Sequence, residues 1–541
     1  MTGYYRKRQE RGKAVYDILI KDGFVIDGTG EGGKKRDIGI AGDRIVFIGD
    51  ASITEGTRVI RADGSVVAPG FIDIHSHSDF NLLADPTAES KVCQGVTTEV
   101  VGQCGLSGAP LEGAVWVRRK NELAHMGIPV TWSSLDEYLQ RLEEAKPIVN
   151  VATLIGHGNL RAAVVGYENR LATGRELRRM SHLLSRDLAM GAYGLSTGLM
   201  YPPGVYASGD ELLTLNRIVA EFQGIYATHL RSEGDQLVEA IQEALSLAER
   251  AGVSLQISHL KTYGKKNWGK LPTVFSLIET FRSRGLAVHV DRYPYTASST
   301  GLDVLLPSWV WEGGQQEELN RLADPACRMR MTESLQVHNG DPEFWDNVMV
   351  SAVKSSENRR FEGKTLREIS VSRRCSPWDA VYELLREEEL DVEALFFFMS
   401  EENLGRILAK EYCMIGSDSA ARSVSGILRR GKPHPRGFGT FPRILHQWAG
   451  KGKGFPLETA IHKMTGLPAE KLGLRNRSVI REENFADLVV FNPSAIQDRA
   501  DYGQPFQLPV GIDYVIINGT IVIEEGRLTG NRPGTVLRKG S

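Results

Sequence analysis

Short apolar runs broken by turn residues open the chain. Asp17-Ile18-Leu19-Ile20 meets Lys21-Asp22-Gly23, and Phe24-Val25-Ile26 runs into Asp27-Gly28-Thr29-Gly30. Ile38-Gly39-Ile40 and Ile45-Val46-Phe47-Ile48 flank Ala41-Gly42-Asp43-Arg44, a hairpin signal because Gly and Asp tolerate positive φ. The far end of the chain repeats this pattern. Ala486-Asp487-Leu488-Val489-Val490-Phe491 reads as a buried strand stopped by Asn492-Pro493, and Tyr514-Val515-Ile516-Ile517-Asn518-Gly519-Thr520-Ile521-Val522-Ile523 as a hairpin. Asp17-Ile18-Leu19-Ile20-Lys21-Asp22-Gly23 even echoes Asp513-Tyr514-Val515-Ile516-Ile517-Asn518-Gly519. Residues 1–68 and 481–541 are therefore expected to build one small β-sandwich domain from both termini, against the alternative of two unrelated β segments.

Between them, apolar strands alternate with helical stretches, the pattern of βαβ units. Strand candidates fall at 66–74, 97–102, 149–155, 192–195, 224–228, 253–258, 287–290 and 412–416. The stretch 235–249 carries apolar residues at 237, 238, 241, 244, 245 and 247, an amphipathic helix. Eight such units predict a (β/α)8 TIM-like barrel over residues 69–480, an α/β fold. The long interval before the last strand exceeds any crossover, so residues 305–405 are expected to form an insertion between barrel strands 7 and 8, helical and seated over the barrel mouth.

Composition narrows the class. The chain has 541 residues, 24% of them charged, with a formal net charge of −2, which offers neither a nucleic-acid footprint nor a polybasic membrane surface. The basic start at 6–11 is not followed by the apolar core of a signal peptide, and no run is long enough to span a membrane. Five cysteines argue against a disulfide framework. The expectation is a cytoplasmic enzyme, monomeric or a small homo-oligomer, with a small-molecule substrate and no nucleic-acid or membrane partner.

Candidate chemistry appears when polar residues are placed on the strands. His75 and His77 are two apart at the end of the first, so they face the same way. Cys104 follows the second strand, His229 ends the fifth, His259 the sixth and Asp418 the eighth. A barrel places its active site on this C-terminal rim, and His, Cys and Asp are ligand types that Zn²⁺ accepts. Any one of them alone is more often a capped, hydrogen-bonded strand end than a ligand; six on five strands form a constellation. Cys93 precedes its strand, on the opposite side from the rim, and reads as a small buried hydrophobe. His157, after the third strand, is open between a supporting and a packing role.

The segment Val67-Ala68-Pro69-Gly70-Phe71-Ile72-Asp73-Ile74-His75-Ser76-His77 resembles the first-strand signature of the amidohydrolase superfamily. Within it, the chain resembles the N-acyl-D-amino-acid deacylases (D-aminoacylases) from about residue 15 to 530. The resemblance rests on Gln94-Gly95-Val96-Thr97-Thr98, Gly102-Gln103-Cys104-Gly105-Leu106-Ser107, Ser196-Thr197-Gly198-Leu199-Met200-Tyr201 and Thr228-His229-Leu230-Arg231-Ser232-Glu233. Further matches are Ile257-Ser258-His259-Leu260-Lys261, Asp291-Arg292-Tyr293-Pro294-Tyr295, Gly416-Ser417-Asp418 and His434-Pro435-Arg436-Gly437-Phe438-Gly439-Thr440-Phe441-Pro442-Arg443.

That resemblance implies a zinc enzyme cleaving N-acyl-D-amino acids to a carboxylate and a free D-amino acid. The fourth strand, Ala192-Tyr193-Gly194-Leu195-Ser196, lacks the bridging lysine of many superfamily members, and Cys104 takes the corresponding ligand role. One tightly bound zinc is then expected at Cys104, His229 and His259, with His75, His77 and Asp418 bordering a second, weaker site. Metal-activated water would use Asp418 as general base and acid. Lys261, Tyr293 and Arg436 are implied to bind the α-carboxylate, and Met200 and Tyr201 to line the side-chain pocket. An acidic side chain would call for a further cation, for which Arg292 and Arg422 are candidates. The competing readings are a cyclic-amide hydrolase of the dihydroorotase or hydantoinase kind, which shares the fold and the paired histidines, and a non-catalytic scaffold.

Overall fold

The structure, a computed structural model, describes residues 16–51, 56–336, 343–450 and 454–540. The basic start at 6–11 lies outside the described residues. A parallel barrel occupies the centre. Phe71–Asp73, Val96–Val101 and Asn150–Thr153 pair in that order, and Ile155–Gly156, Gly194–Gly198, Ile225–His229, Ser254–Ile257, Val288–Arg292 and Cys413–Ile415 continue it. Only Leu154 separates the two short pieces of the third strand. The first and eighth strands meet through the Ser76–Ser419 bridge, which closes the ring.

Ile72, Val100, Ala152, Ala227 and Met414 belong to one buried cluster. Leu195, Leu245, Leu255 and Ile278 belong to a larger one, shared between strands and helices. The helices follow sequence signals closely. Leu237–Ala251 occupies the predicted amphipathic stretch, displaced by two residues, and stops at Gly252, which adopts the left-handed conformation. Reciprocal capping boxes, Ser134 with Glu137 and Thr173 with Glu176, start the helices Leu135–Ala145 and Gly174–Ala189.

Strands from both ends of the chain share one nine-stranded sheet, in which Val66–Pro69 pairs with Leu488–Phe491. This corrects the reading of 66–74 as a single barrel strand. Pro69-Gly70 cuts the run: its first half completes the small-domain sheet and Phe71–Asp73 starts the barrel. Glycine is needed at the cut, because a Cβ on Gly70 would lie 2.2 Å from the Thr97 side chain.

The expected helical insertion is mixed instead. Ser298–Gly301, Val392–Phe396 and Val348–Val353 form an antiparallel sheet with Val392–Phe396 in the middle. The helices Gln315–Ala323, Leu366–Arg373 and Pro377–Glu387 accompany it, and Trp311, Trp345, Trp378 and Phe396 contribute to its own apolar core. Val348-Met349-Val350-Ser351-Ala352-Val353 is a short apolar run whose length and β-branched residues carry the strand signal. The sheet begins before 305: its edge strand Ser298–Gly301 follows the seventh barrel strand Val288–Arg292 after the short segment 293–297.

Candidate active site and metal centre

The strand ends bring six side chains together. His75, His77, Cys104 and Asp418 form one group and Cys104, His229 and His259 a second, with the ligand atoms of each lying within 4.8 Å of one another. The Cys104 sulfur is common to both. Local backbone accounts for the convergence. Cys104, His259 and Asp418 all take positive φ, at 52°, 35° and 50°, which turns each side chain off its strand direction. Such conformations are strained for non-glycine residues and persist where neighbours over-determine them. Here the Asp418 amide donates to the His75 carbonyl at 2.8 Å and the His259 amide to Asp291 Oδ1 at 2.8 Å. Glycine again permits the approach, since a Cβ on Gly198 would lie 2.2 Å from the Cys104 carbonyl oxygen.

His75 is fully buried and its Nδ1 lies 3.0 Å from Asp291 Oδ1. With Nδ1–H donating to that carboxylate, the Nε2 lone pair points at Cys104 Sγ, 3.3 Å away. His77 Nε2 lies 3.0 Å from Asp418 Oδ1. His259 Nε2 is 3.5 Å from the Cys104 sulfur, while its Nδ1 is 3.0 Å from Glu233 Oε1. His229 Nε2 touches Met200 Sδ at 2.7 Å and lies 3.8 Å from Glu233 Oε2.

Burial works against every charge here, and the neighbours answer it. Desolvation pushes the Cys104 thiol up, but His75 and His259 more than offset this and hold it well below its ordinary value, toward the thiolate. Asp418 is treated alike: burial raises it, and Arg436, His259 and His75 hold it well below the carboxylate range. A thiolate, imidazoles and a carboxylate on one rim are a donor set that fits Zn²⁺.

The remaining sequence candidates are also at the rim. Lys261 is buried, bonded to Glu233 and 2.7 Å from His259 Nδ1. Tyr293 is fully buried between the guanidinium groups of Arg292 and Arg436, 4.2 and 4.6 Å from its ring centre, and its hydroxyl makes no hydrogen bond of good geometry among the described residues, with Arg436 as its polar neighbour. Arg436 is not a free cation: its Nη1 donates to Asp418 Oδ2 at 2.8 Å, although its buried Nε is unpaired. Tyr201 presents its ring edge-on to His229, 4.9 Å between centres, and its hydroxyl meets Thr300 Oγ1 of the insertion's edge strand at 3.2 Å.

Arg292 and Arg422 are each partly engaged and keep buried nitrogens, Nε and Nη1 of Arg292 and Nε of Arg422, without a hydrogen bond among the described residues. Arg292 donates to the Tyr295 carbonyl at 2.8 Å, and Arg422 lies 3.6 Å from Glu393. His157 joins Glu211 at 2.8 Å, a carboxylate shared with Arg161, and is absent from both donor groups. Cys93 is half-buried against the apolar core, its thiol pushed up to about 12 by burial. On the fourth strand, Ser196 Oγ accepts from the Gly105 amide at 3.0 Å and so supports the Cys104 turn.

Two carboxylates of the site escaped the sequence reading. Asp291 binds His75, the His259 amide and Gln256 Nε2, and Glu233 serves His259, His229 and Lys261. A signal existed for the first. Asp291 alternates with Val288 and Val290, which pack in the core shared with the helices, so it falls on the other face of Val288–Arg292.

Known proteins resemble this chain over nearly all of its length. A model of the Amidohydrolase family matches residues 58–273. D-aminoacylase from Alcaligenes xylosoxydans xylosoxydans is 36% identical, covering 97% of this chain and 98% of that protein. N-acyl-D-glutamate deacylase from the same organism is 35% identical, over 97% and 96%. The crystal structure of N-acyl-D-glutamate deacylase from Bordetella bronchiseptica, complexed with zinc and a phosphonate inhibitor that mimics the tetrahedral intermediate, superposes with a TM-score of 0.82 at 32% identity, covering 97% of this chain and all of that one. With 36% identity over 97% of its length to a D-aminoacylase, this chain belongs to the N-acyl-D-amino-acid deacylase (D-aminoacylase) family of amidohydrolases.

Proposed function

We propose that this chain hydrolyses the amide bond of N-acyl-D-amino acids to a carboxylate and a free D-amino acid, with zinc as its metal. The observation that carries the reading is the Cys104 sulfur standing in both donor groups, in a chain 36% identical to a D-aminoacylase over 98% of that protein. Cys104, His229 and His259 would hold the tight ion, and His75, His77 and Asp418 would border a second. Zinc so bound supplies Lewis-acid polarisation of the amide carbonyl and a lower pKa for water.

The chain's own residues do the rest. Asp418 takes the proton of the attacking water on its carboxylate and returns it to the departing amine nitrogen. Arg436 holds Asp418 Oδ2, so Oδ1 is the oxygen left toward His75 and His77. Two buried donors without a hydrogen bond among the described residues, the Tyr293 hydroxyl and Arg436 Nε, sit beside Lys261 on that rim and suit an incoming α-carboxylate. Met200 and Tyr201, against His229, would line the substrate side chain. Ser196 and Thr197 stand on the fourth strand where a lysine-bridged cyclic-amide hydrolase needs its lysine.

The test is removal of metal by a chelator, reconstitution with zinc, and assay across N-acetyl-D-amino acids, N-acetyl-L-amino acids and hydantoins. Zinc-dependent turnover of the D panel is expected. Turnover of hydantoins alone contradicts the proposal.

A further inference from the structure

Below the donors lies a buried group that no step above uses. Lys91 stands on the short helix Glu89–Val92, just ahead of the second barrel strand, and is completely buried. Its ammonium donates to Asp73 Oδ2 at 2.7 Å, to Ser417 Oγ at 2.8 Å and to the Ser419 carbonyl at 2.7 Å. Ser76 Oγ lies 3.4 Å away and Glu99 Oε1 3.3 Å. Asp73 accepts in turn from the amides of Ser417, at 2.8 Å, and His75, at 3.3 Å. One cation therefore ties together the ends of the first, second and eighth strands.

The place matters because the barrel is weakly sewn there. Other neighbouring strands share ladders, whereas among the described residues the first and eighth pair through the single Ser76–Ser419 bridge, helped by the contact of Asp73 with Ser417. Both residues of that bridge contact Lys91. They are also the chain neighbours of donors: Ser76 lies between His75 and His77, and Ser419 follows Asp418. Where Lys91 fixes these backbones, the Asp418 amide reaches the His75 carbonyl at 2.8 Å and the His77 amide the Ser419 carbonyl at 3.3 Å. Burying an ammonium with two carboxylates brings little net stability over an apolar replacement, so stability alone does not account for the arrangement.

We propose that Lys91 is a positioning residue for the hydrolysis: by joining the first and eighth strand ends it brings His75, His77 and Asp418 into one group. This rests on the reading of the rim donors as a hydrolytic metal centre. It acts on the donors of the first and eighth strands and leaves His229 and His259, which stand on the fifth and sixth, alone.

The test uses the full chain with Lys91→Met combined with Glu99→Gln, which removes the ammonium together with one carboxylate. Ser417→Ala, a milder cut in the same cluster, serves as the second variant. Metal-free protein is titrated with Co²⁺, its absorption spectrum reporting each equivalent bound, and kcat and KM are measured for an N-acetyl-D-amino acid. The second equivalent should bind roughly 10- to 100-fold more weakly while the first is retained. The kcat should fall roughly 100-fold with little change in KM, since small misplacements of reacting groups cost that much. Ser417→Ala should move both readouts in the same direction by less. Parent-like binding of both equivalents with parent kcat overturns the proposal, and so does equal weakening of both. If the parent turns over no N-acyl-D-amino acid, the functional reading fails, while the cobalt titration still decides the role of Lys91.

Discussion

His75 and Asp291 meet at 3.0 Å between Nδ1 and Oδ1, and that contact aims His75 Nε2 at the Cys104 sulfur. The same carboxylate fixes the His259 amide, so a single buried aspartate orients a histidine from each donor group. Asp291→Ala should therefore weaken metal binding by roughly 10- to 100-fold, the usual cost of losing a carboxylate behind a ligating histidine. Competition against a chromophoric chelator measures this, and unchanged affinity would remove Asp291 from the site.

Cys104 and Asp418 should separate cleanly. Cys104→Ala deletes the donor common to both groups, so zinc content per chain should drop sharply. Asp418→Ala spares Cys104, His229 and His259, so most zinc should remain while kcat falls by roughly 100- to 10,000-fold, the range that general acid–base groups contribute. Metal analysis beside steady-state kinetics checks both variants. A fully active Asp418→Ala protein would exclude the carboxylate from proton transfer.

Tyr293→Phe tests the carboxylate clamp. The substitution keeps the ring between the two guanidinium groups and removes only a buried hydroxyl that makes no hydrogen bond of good geometry among the described residues. KM for an N-acetyl-D-amino acid should rise roughly tenfold, as expected for a hydrogen bond to a charged group. The corresponding amino-acid amide, lacking the carboxylate, should not distinguish the variant from the parent. Equal effects on both compounds would place Tyr293 outside the clamp.

His289 should shape acid stability. Burial, reinforced by Lys471 and Arg282, pushes its imidazole down to about 3, from an ordinary 6.5. Between those values the unfolded chain binds the extra proton, so stability is intact above about pH 6.5 and declines as pH falls toward about 3. At about pH 5 the loss is on the order of 2 kcal/mol. His289→Gln should flatten this acid limb in urea unfolding curves taken across pH. An identical limb would show that other groups carry it.

Much of this molecule is legible in the sequence because barrel strands are short apolar runs and their ends carry the reactive residues. His75, His77, Cys104, His229, His259 and Asp418 stand out in that way, and the structure gathers all six. The partners that orient them do not stand out. Asp291 lies 216 residues from His75, and Lys91 lies 326 residues from Ser417, so only the closed barrel makes them neighbours. Arg436 was legible as a rim cation but not as the partner of Asp418, because a cation's choice among nearby anions is settled by packing. The strand 66–74 was overextended for a related reason: its apolar halves serve different sheets, and only Pro69-Gly70 marks the division.

The central claim is tested most directly by kcat/KM of the zinc-loaded protein on paired N-acetyl-D- and N-acetyl-L-amino acids that share a side chain. Hydrolysis of the D enantiomer that disappears on zinc removal and returns on its restoration, with the L enantiomer slower by orders of magnitude, is the expected result. Preference for the L enantiomer, or D hydrolysis indifferent to zinc, would contradict it.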